Sequence, residues 1–248
     1  MNKKMIIFTL GKLLQITGLL MYIPVVIAII YQEIEGISFA IVGALIFGLG
    51  TIISYKHPAK KNIYAREGFV IVALSWILIS IFGAIPFCLT GEIPSFIDAF
   101  FEMVSGFTTT GSSILSDIEA LSHASLFWRS FSHWLGGMGI LVFVIAFIPI
   151  SSGRSLHILR AEVPGPIVGK LVSKIRLTAR ILYFIYAILT LVETVLLMFG
   201  GMPLFDSLLN SFGTAGTGGF AIKNASIAAY DSVYVDTVIT VFMILFGI

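Results

Sequence analysis

Two short runs of threonine and glycine carry the chemistry available to this sequence: Phe107-Thr-Thr-Thr-Gly-Ser-Ser113 and Ala215-Gly-Thr-Gly-Gly-Phe-Ala221. Neither holds a titratable side chain. What they offer is oxygen, as main-chain carbonyls and as hydroxyls that add dipoles without charge. Glycine can turn its carbonyl where other residues cannot. Rings of carbonyls that replace an ion's hydration shell are the physical basis of potassium selectivity filters. The chemistry implied is weak, reversible coordination of a dehydrated cation. The two runs share a spacing. Gly111 lies thirteen residues after Asp98 and Gly219 thirteen after Asp206, with Thr109 and Thr217 two places before each glycine. The residues leading in also pair: Ile93-Pro-Ser-Phe-Ile-Asp98-Ala-Phe-Phe-Glu102 matches Gly201-Met-Pro-Leu-Phe-Asp206-Ser-Leu-Leu-Asn210, the prolines one residue out of step. This is an internal repeat with an offset of 108 residues.

Each run needs an element that delivers it to membrane depth. Of the 248 residues 58% are hydrophobic and 11% charged, with a mean hydropathy of +1.03. A soluble domain carries about 25% charged residues, so a soluble enzyme, a disordered chain and a disulfide scaffold are excluded. A membrane-crossing helix takes about 20 apolar residues. Segments 6–30, 37–55, 68–90, 125–150 and 179–200 qualify, and a sixth starts near Ser232 and reads apolar to Ile248, as if cut inside a helix. The first follows Lys3 and Lys4 but is longer than a secretion signal's apolar region and lacks a cleavage site, so it reads as a retained span. Twelve of the 15 basic residues fall in the N-terminal tail, the 56–67 loop and the 151–180 loop, which makes that side cytoplasmic. Segments 91–124 and 201–231 must then begin and end outside. Each contains an apolar stretch too short to cross, Phe96 to Phe107 and Leu204 to Phe212. Such lengths fit re-entrant segments. A proline at the start, an aspartate in the first turn and a small-residue run at the end describe a pore helix and its loop.

Other motifs read more plainly. Cys88, the one cysteine, lies in an apolar run and reads as a buried thiol. Gly165-Pro-Ile-Val-Gly-Lys170 has the wrong spacing for a phosphate loop, and Gly213 to Gly219 lacks the βαβ unit a dinucleotide loop needs. The histidines His57, His123, His133 and His157 show no metal-ligand spacing, and no catalytic string occurs. Arg129 and His133, flanked by Trp128 and Trp134, read first as a snorkelling pair in an aromatic interface belt. Lys12 lies within reach of the cytoplasmic edge. Glu193, mid-helix, is expected to pair with a polar group on another helix. Gly136-Gly137-Met-Gly139 reads as close helix packing ahead of a hinge. The 151–180 connection, broken by Pro164 and Pro166, could meet anionic lipid or a cytosolic regulator.

Ser105-Gly-Phe-Thr-Thr-Thr-Gly-Ser112, followed by Ser132-His-Trp-Leu-Gly-Gly-Met-Gly-Ile140, resembles the first repeat of the TrkH/KtrB superfamily of bacterial potassium transporters, in its TrkH branch. Thr214-Ala-Gly-Thr-Gly-Gly-Phe220 is similar to that family's second filter. The resemblance covers essentially the whole chain. It implies an all-α integral membrane fold in which two N-terminal helices precede helix–pore-loop–helix repeats around one pore. The domains expected are a two-helix region 1–55, a cytoplasmic loop 56–67, a first repeat 68–150, a cytoplasmic connection 151–178 and a second repeat 179–248, truncated in its last helix. It implies potassium permeation, with no enzymatic step and no bound cofactor, through carbonyls of Thr109, Thr110, Thr217 and Gly218 beside Gly111 and Gly219. In some sodium-permeable plant relatives a serine fills the position of these glycines. It implies a multi-pass protein of the bacterial inner membrane with a cytoplasmic N-terminus. The partners it implies are the lipid bilayer, a second copy in a homodimer and a cytosolic nucleotide-binding subunit of the TrkA type, with no nucleic acid. Repeats three and four are absent from these residues, so the chain is expected not to conduct alone. A non-conducting regulatory subunit with a pore-loop fold, and a carrier with discontinuous helices, are the alternatives.

Overall fold

A computed structural model of the chain describes residues 2–56, 58, 65–139 and 175–248. Among these the fold is all helical. Helices α1 (Lys3–Leu20) and α2 (Tyr22–Tyr31) run head to tail through Met21, and α3 (Gly36–Ile53) returns beside α1. Gly11 and Gly18 of α1 face Gly50 and Gly43 of α3 so closely that a Cβ on Gly18 would lie 2.7 Å from the Gly43 carbonyl oxygen. Small residues permit that backbone approach between apolar helices. Then come α4 (Ala65–Thr90), α5 (Phe96–Phe107), α6 (His123–Gly137), α7 (Ile175–Phe199), α8 (Leu204–Ala215), a 3₁₀ turn at Ser226–Tyr230 and α9 (Val233–Gly247). Among the described residues four stretches are long and apolar enough to cross a membrane: Lys3–Tyr31, Gly36–Ile53, Arg66–Thr90 and Ala179–Phe199. Val233–Gly247 is apolar but shorter.

The two short helices repeat in register. Both are 12 residues long. Their first residues, Phe96 and Leu204, and their last, Phe107 and Ala215, stand at the offset of the sequence repeat. The second runs three residues beyond the apolar stretch that ends at Phe212. Gly213, Thr214 and Ala215 are small and buried, and the Thr214 hydroxyl donates to the Asn210 carbonyl at 3.0 Å. Ser95 caps α5 by accepting from the Asp98 N–H at 3.4 Å, while Pro203 opens α8.

Helix α6 is positioned by two carboxylates that satisfy its first N–H groups, the groups a helix leaves unpaired. Glu33, from the α2–α3 turn, accepts from the N–H of His123 at 2.8 Å and of Ala124 at 3.1 Å. Glu92, beyond α4, accepts from the Ser122 N–H and the Ser125 hydroxyl. The helix expected over 125–150 thus starts at His123 and is capped at Met138, with Gly139 at φ 73°. Residues 140–150, the connection at 151–174 with its basic residues and Gly165 to Lys170, and most of the 56–67 loop lie outside the described residues.

Candidate functional site

Each short helix ends in the same hydrogen-bonded turn. Thr108 N–H donates to the Val104 carbonyl at 2.9 Å and Thr109 N–H to Gly106 at 3.0 Å. One repeat later Gly216 N–H donates to Phe212 at 3.1 Å and Thr217 N–H to Thr214 at 2.8 Å. The backbone then turns left-handed at matching places. Thr109 and Thr217 both have φ 55°, and Gly111 and Gly219 have φ 79° and 74°. Glycine adopts this region freely, but for a β-branched residue it is an outlier. Such strain costs about 1–3 kcal/mol per residue and gathers at functional sites. Here it occurs twice, at equivalent positions, where the partial negative ends of α5 and α8 point.

The two turns lie against each other. A Cβ on Gly111 would run into the Gly218 carbonyl oxygen, and one on Gly218 into the Thr109 carbonyl oxygen. Thr110, Thr217 and Gly219 are exposed, and Thr109, Gly111 and Gly218 are half-buried. Thr109, Thr110, Gly111, Thr217, Gly218 and Gly219 are therefore brought together, with Asp98 and Asp206 in the first turns of the helices that lead to them. Asp206 also accepts a 2.8 Å hydrogen bond from the Tyr230 hydroxyl. Burial, with the Asp206 carboxylate beside it, pushes the Tyr230 phenol above its ordinary pKa.

One face of α6 backs both turns. A Cβ on Gly136 would run into the Phe107 carbonyl oxygen and come within 3.0 Å of Thr109 Cγ2. A Cβ on Gly137 would lie 3.0 Å from Gly216 Cα. The His133 ring fills the space left beside Gly216 and Gly218, and neither of its nitrogens has a hydrogen-bond partner among the described residues. The Gly136–Gly137 pair is a packing surface, as its sequence suggests.

The snorkelling reading of Arg129 is overturned. Its side chain is 1% exposed and its Nε donates to Glu102 Oε1 at 2.5 Å. Trp128 and Trp134 form no interface belt. Trp128 is fully buried and its indole N–H donates to the Gly83 carbonyl at 3.1 Å, while that of Trp134 donates to the Thr190 hydroxyl at 3.0 Å. The arginine has no need to reach water because Glu102, on α5, lies across from it. Sequence reasoning passed over Glu102 as the polar end of a repeat, although a glutamate in the apolar 96–107 stretch calls for a counter-ion. Glu193 does face another helix, next to Thr214. Thr214 is the polar neighbour that acts on its carboxylate, although neither carboxylate oxygen makes a close hydrogen bond among the described residues.

Residues 35–248 match the family model TrkH, described as cation transport protein. The chain is 38% identical over 231 residues to the Trk system potassium uptake protein TrkH of Salmonella typhimurium, covering 92% of this chain and 48% of that protein. It is 36% identical to the protein of the same name from Halomonas elongata, covering 99% of this chain and 52% of the relative. The crystal structure of the potassium transporter TrkH from Vibrio parahaemolyticus superposes with a TM-score of 0.84 at 31% identity, over 99% of this chain and 50% of that one. The chain spans about half the length of the curated relatives it matches. With the match running from the start of α3 to the last residue, the chain belongs to the TrkH family of cation transport proteins.

Proposed function

We propose that this chain supplies half of a potassium-conducting pore in a cell membrane. In this reading the carbonyls of Thr109, Thr110, Thr217 and Gly218 coordinate the ion, and Gly111 and Gly219 allow the chain to turn them inward. Asp98 and Asp206 stabilise the starts of the two pore helices. Residues 68–150 and 179–248 act as successive repeats, and residues 1–55 brace them. Permeation is passive and involves no covalent step and no resident cofactor. The bias of basic residues puts the N-terminus in the cytoplasm. The relatives' named activity, potassium uptake, supports the choice of ion. A homodimer carrying a cytosolic nucleotide-binding regulator is the assembly this reading favours, with the basic 151–178 connection on the side that would meet it.

The observation that carries the proposal is the repeated backbone: two threonines at φ 55° and two glycines at φ 79° and 74°, at equivalent places, in turns that touch. The test joins this chain to the second half of the Vibrio TrkH and expresses the product in cells lacking potassium uptake. Growth at low potassium and saturable uptake of labelled Rb⁺, with Na⁺ rejected, are expected. A membrane-inserted, folded product that restores neither growth nor uptake would overturn the assignment.

A further inference from the structure

We propose that Glu102 and Arg129 form one clamp behind both threonine–glycine turns, a positioning pair that fixes their carbonyls and so sets which alkali ion passes. The inference rests on reading those turns as an ion filter. Both side chains are buried, at 0% and 1% exposure. The Glu102 carboxylate takes more than the arginine. It accepts from the Ser113 hydroxyl at 2.9 and 3.1 Å and from the Ile114 N–H at 2.9 Å, just beyond Gly111. Arg129 reaches the other turn. Its Nη1 donates to the Ala221 carbonyl at 2.7 Å, and its guanidinium carbon sits 3.7 Å from the Phe220 ring centroid. Phe220 and Ala221 are the first residues after Gly219. The carboxylate thus holds the exit from the first turn, the guanidinium holds the exit from the second, and the ion pair ties the two together.

Stability does not account for this arrangement, since apolar residues of similar volume often serve as well as a buried ion pair. A planar guanidinium with fixed donor directions supplies geometry instead. The device is not duplicated at the equivalent glutamate position of the second repeat. Asn210 stands there, and its amide donates to the Asp206 carbonyl at 2.9 Å and to the Tyr230 hydroxyl at 3.3 Å. One pair therefore serves two turns. Cation selectivity depends on the number and placement of coordinating carbonyls, so loosening the pair should alter discrimination before it abolishes flux.

The test uses the same joined protein, unsubstituted and with Ser113→Ala, Glu102→Gln or Arg129→Lys, reconstituted in vesicles. The readout is the ratio of Rb⁺ to Na⁺ uptake, alongside the amount of folded protein. The ratio is expected to fall about tenfold for Glu102→Gln and Arg129→Lys, the worth of one charge-assisted hydrogen bond, and by a smaller factor for Ser113→Ala. A purely structural role would lower the folded amount and both fluxes together. An unchanged ratio would therefore overturn the clamp. If the two charged-site variants do not accumulate, the exposed Ser113 decides the matter, and an unchanged ratio there overturns it equally. Loss of Rb⁺ selectivity in the unsubstituted protein would instead sink the filter reading, and the clamp with it.

Discussion

Gly111 and Gly219 share a backbone conformation but not their surroundings. Both sit at positive φ, where an L side chain costs about 1–2 kcal/mol. Around Gly219 a Cβ would meet nothing within 4 Å, whereas at Gly111 it would run into the Gly218 carbonyl. Gly219→Ala should therefore cost stability by the conformational term alone. Gly111→Ala should add an overpacking cost of about 1–3 kcal/mol and displace a carbonyl of the second turn. Thermal unfolding of the joined protein in detergent checks this, and equal losses from the two substitutions would contradict it. Tyr230 gives a pH prediction. Its folded pKa is raised, so it favours the neutral phenol, and its contribution is complete below the ordinary tyrosine value of about 10. That contribution is lost as pH rises through the higher folded value. Between about pH 10 and that folded value the melting temperature should fall more steeply in the unsubstituted protein than in Tyr230→Phe, and parallel profiles there would refute the link. The glycines were legible in the sequence because positive φ selects that residue at a fixed spacing. The threonines at φ 55° were not, since nothing in their chemistry favours that region. The pairing of Arg129 with Glu102 was hidden for another reason: the two stand 27 residues apart and meet only in the tertiary fold.

At the scale of elements, the short helices were legible because proline, an aspartate in the first turn and an apolar run of limiting length coincide twice. The end of α8 was not legible, because hydrophobicity does not register the small buried residues Gly213, Thr214 and Ala215 that carry the helix past Phe212. The role of α6 was half legible. Its glycines announced close packing, but the partner surfaces, the Phe107 carbonyl on one side and Gly216 on the other, come from two different repeats. This arrangement predicts that Gly136→Ala pushes α6 off the end of α5. The expected loss is about 1–3 kcal/mol of stability, by the cost of overpacking, together with reduced Rb⁺ selectivity. A hinge would respond otherwise, with altered opening and unaltered discrimination. Single-channel recording of the joined protein separates these, and normal selectivity with changed open probability would contradict the packing account.

Over the whole molecule, the repeats are tied at the end where α6 begins. Asn224 accepts from the Ile118 N–H at 2.7 Å and donates to Asp117 at 2.8 Å, and Lys223 approaches Glu119 at 3.4 Å. The N-terminal hairpin joins the same end through Glu33 and His123, whose ring stacks on Tyr31 at 3.8 Å. The acidic bias of this side was visible in the sequence, but its cross-links, which join loops of different repeats, were not. Large apolar side chains stay exposed along the long helices, among them Ile30, Ile52, Phe184 and Phe199. A lipid surface accommodates them without the cost that water would exact. In the proposed function the two touching turns present main-chain oxygens to an alkali ion. Soaking crystals of the joined protein in a thallous salt and mapping the anomalous signal tests it most directly. A peak is expected in contact with the carbonyl oxygens of Thr109, Thr110, Thr217 and Gly218. An occupied ion elsewhere along the pore, with none between those carbonyls, would contradict it.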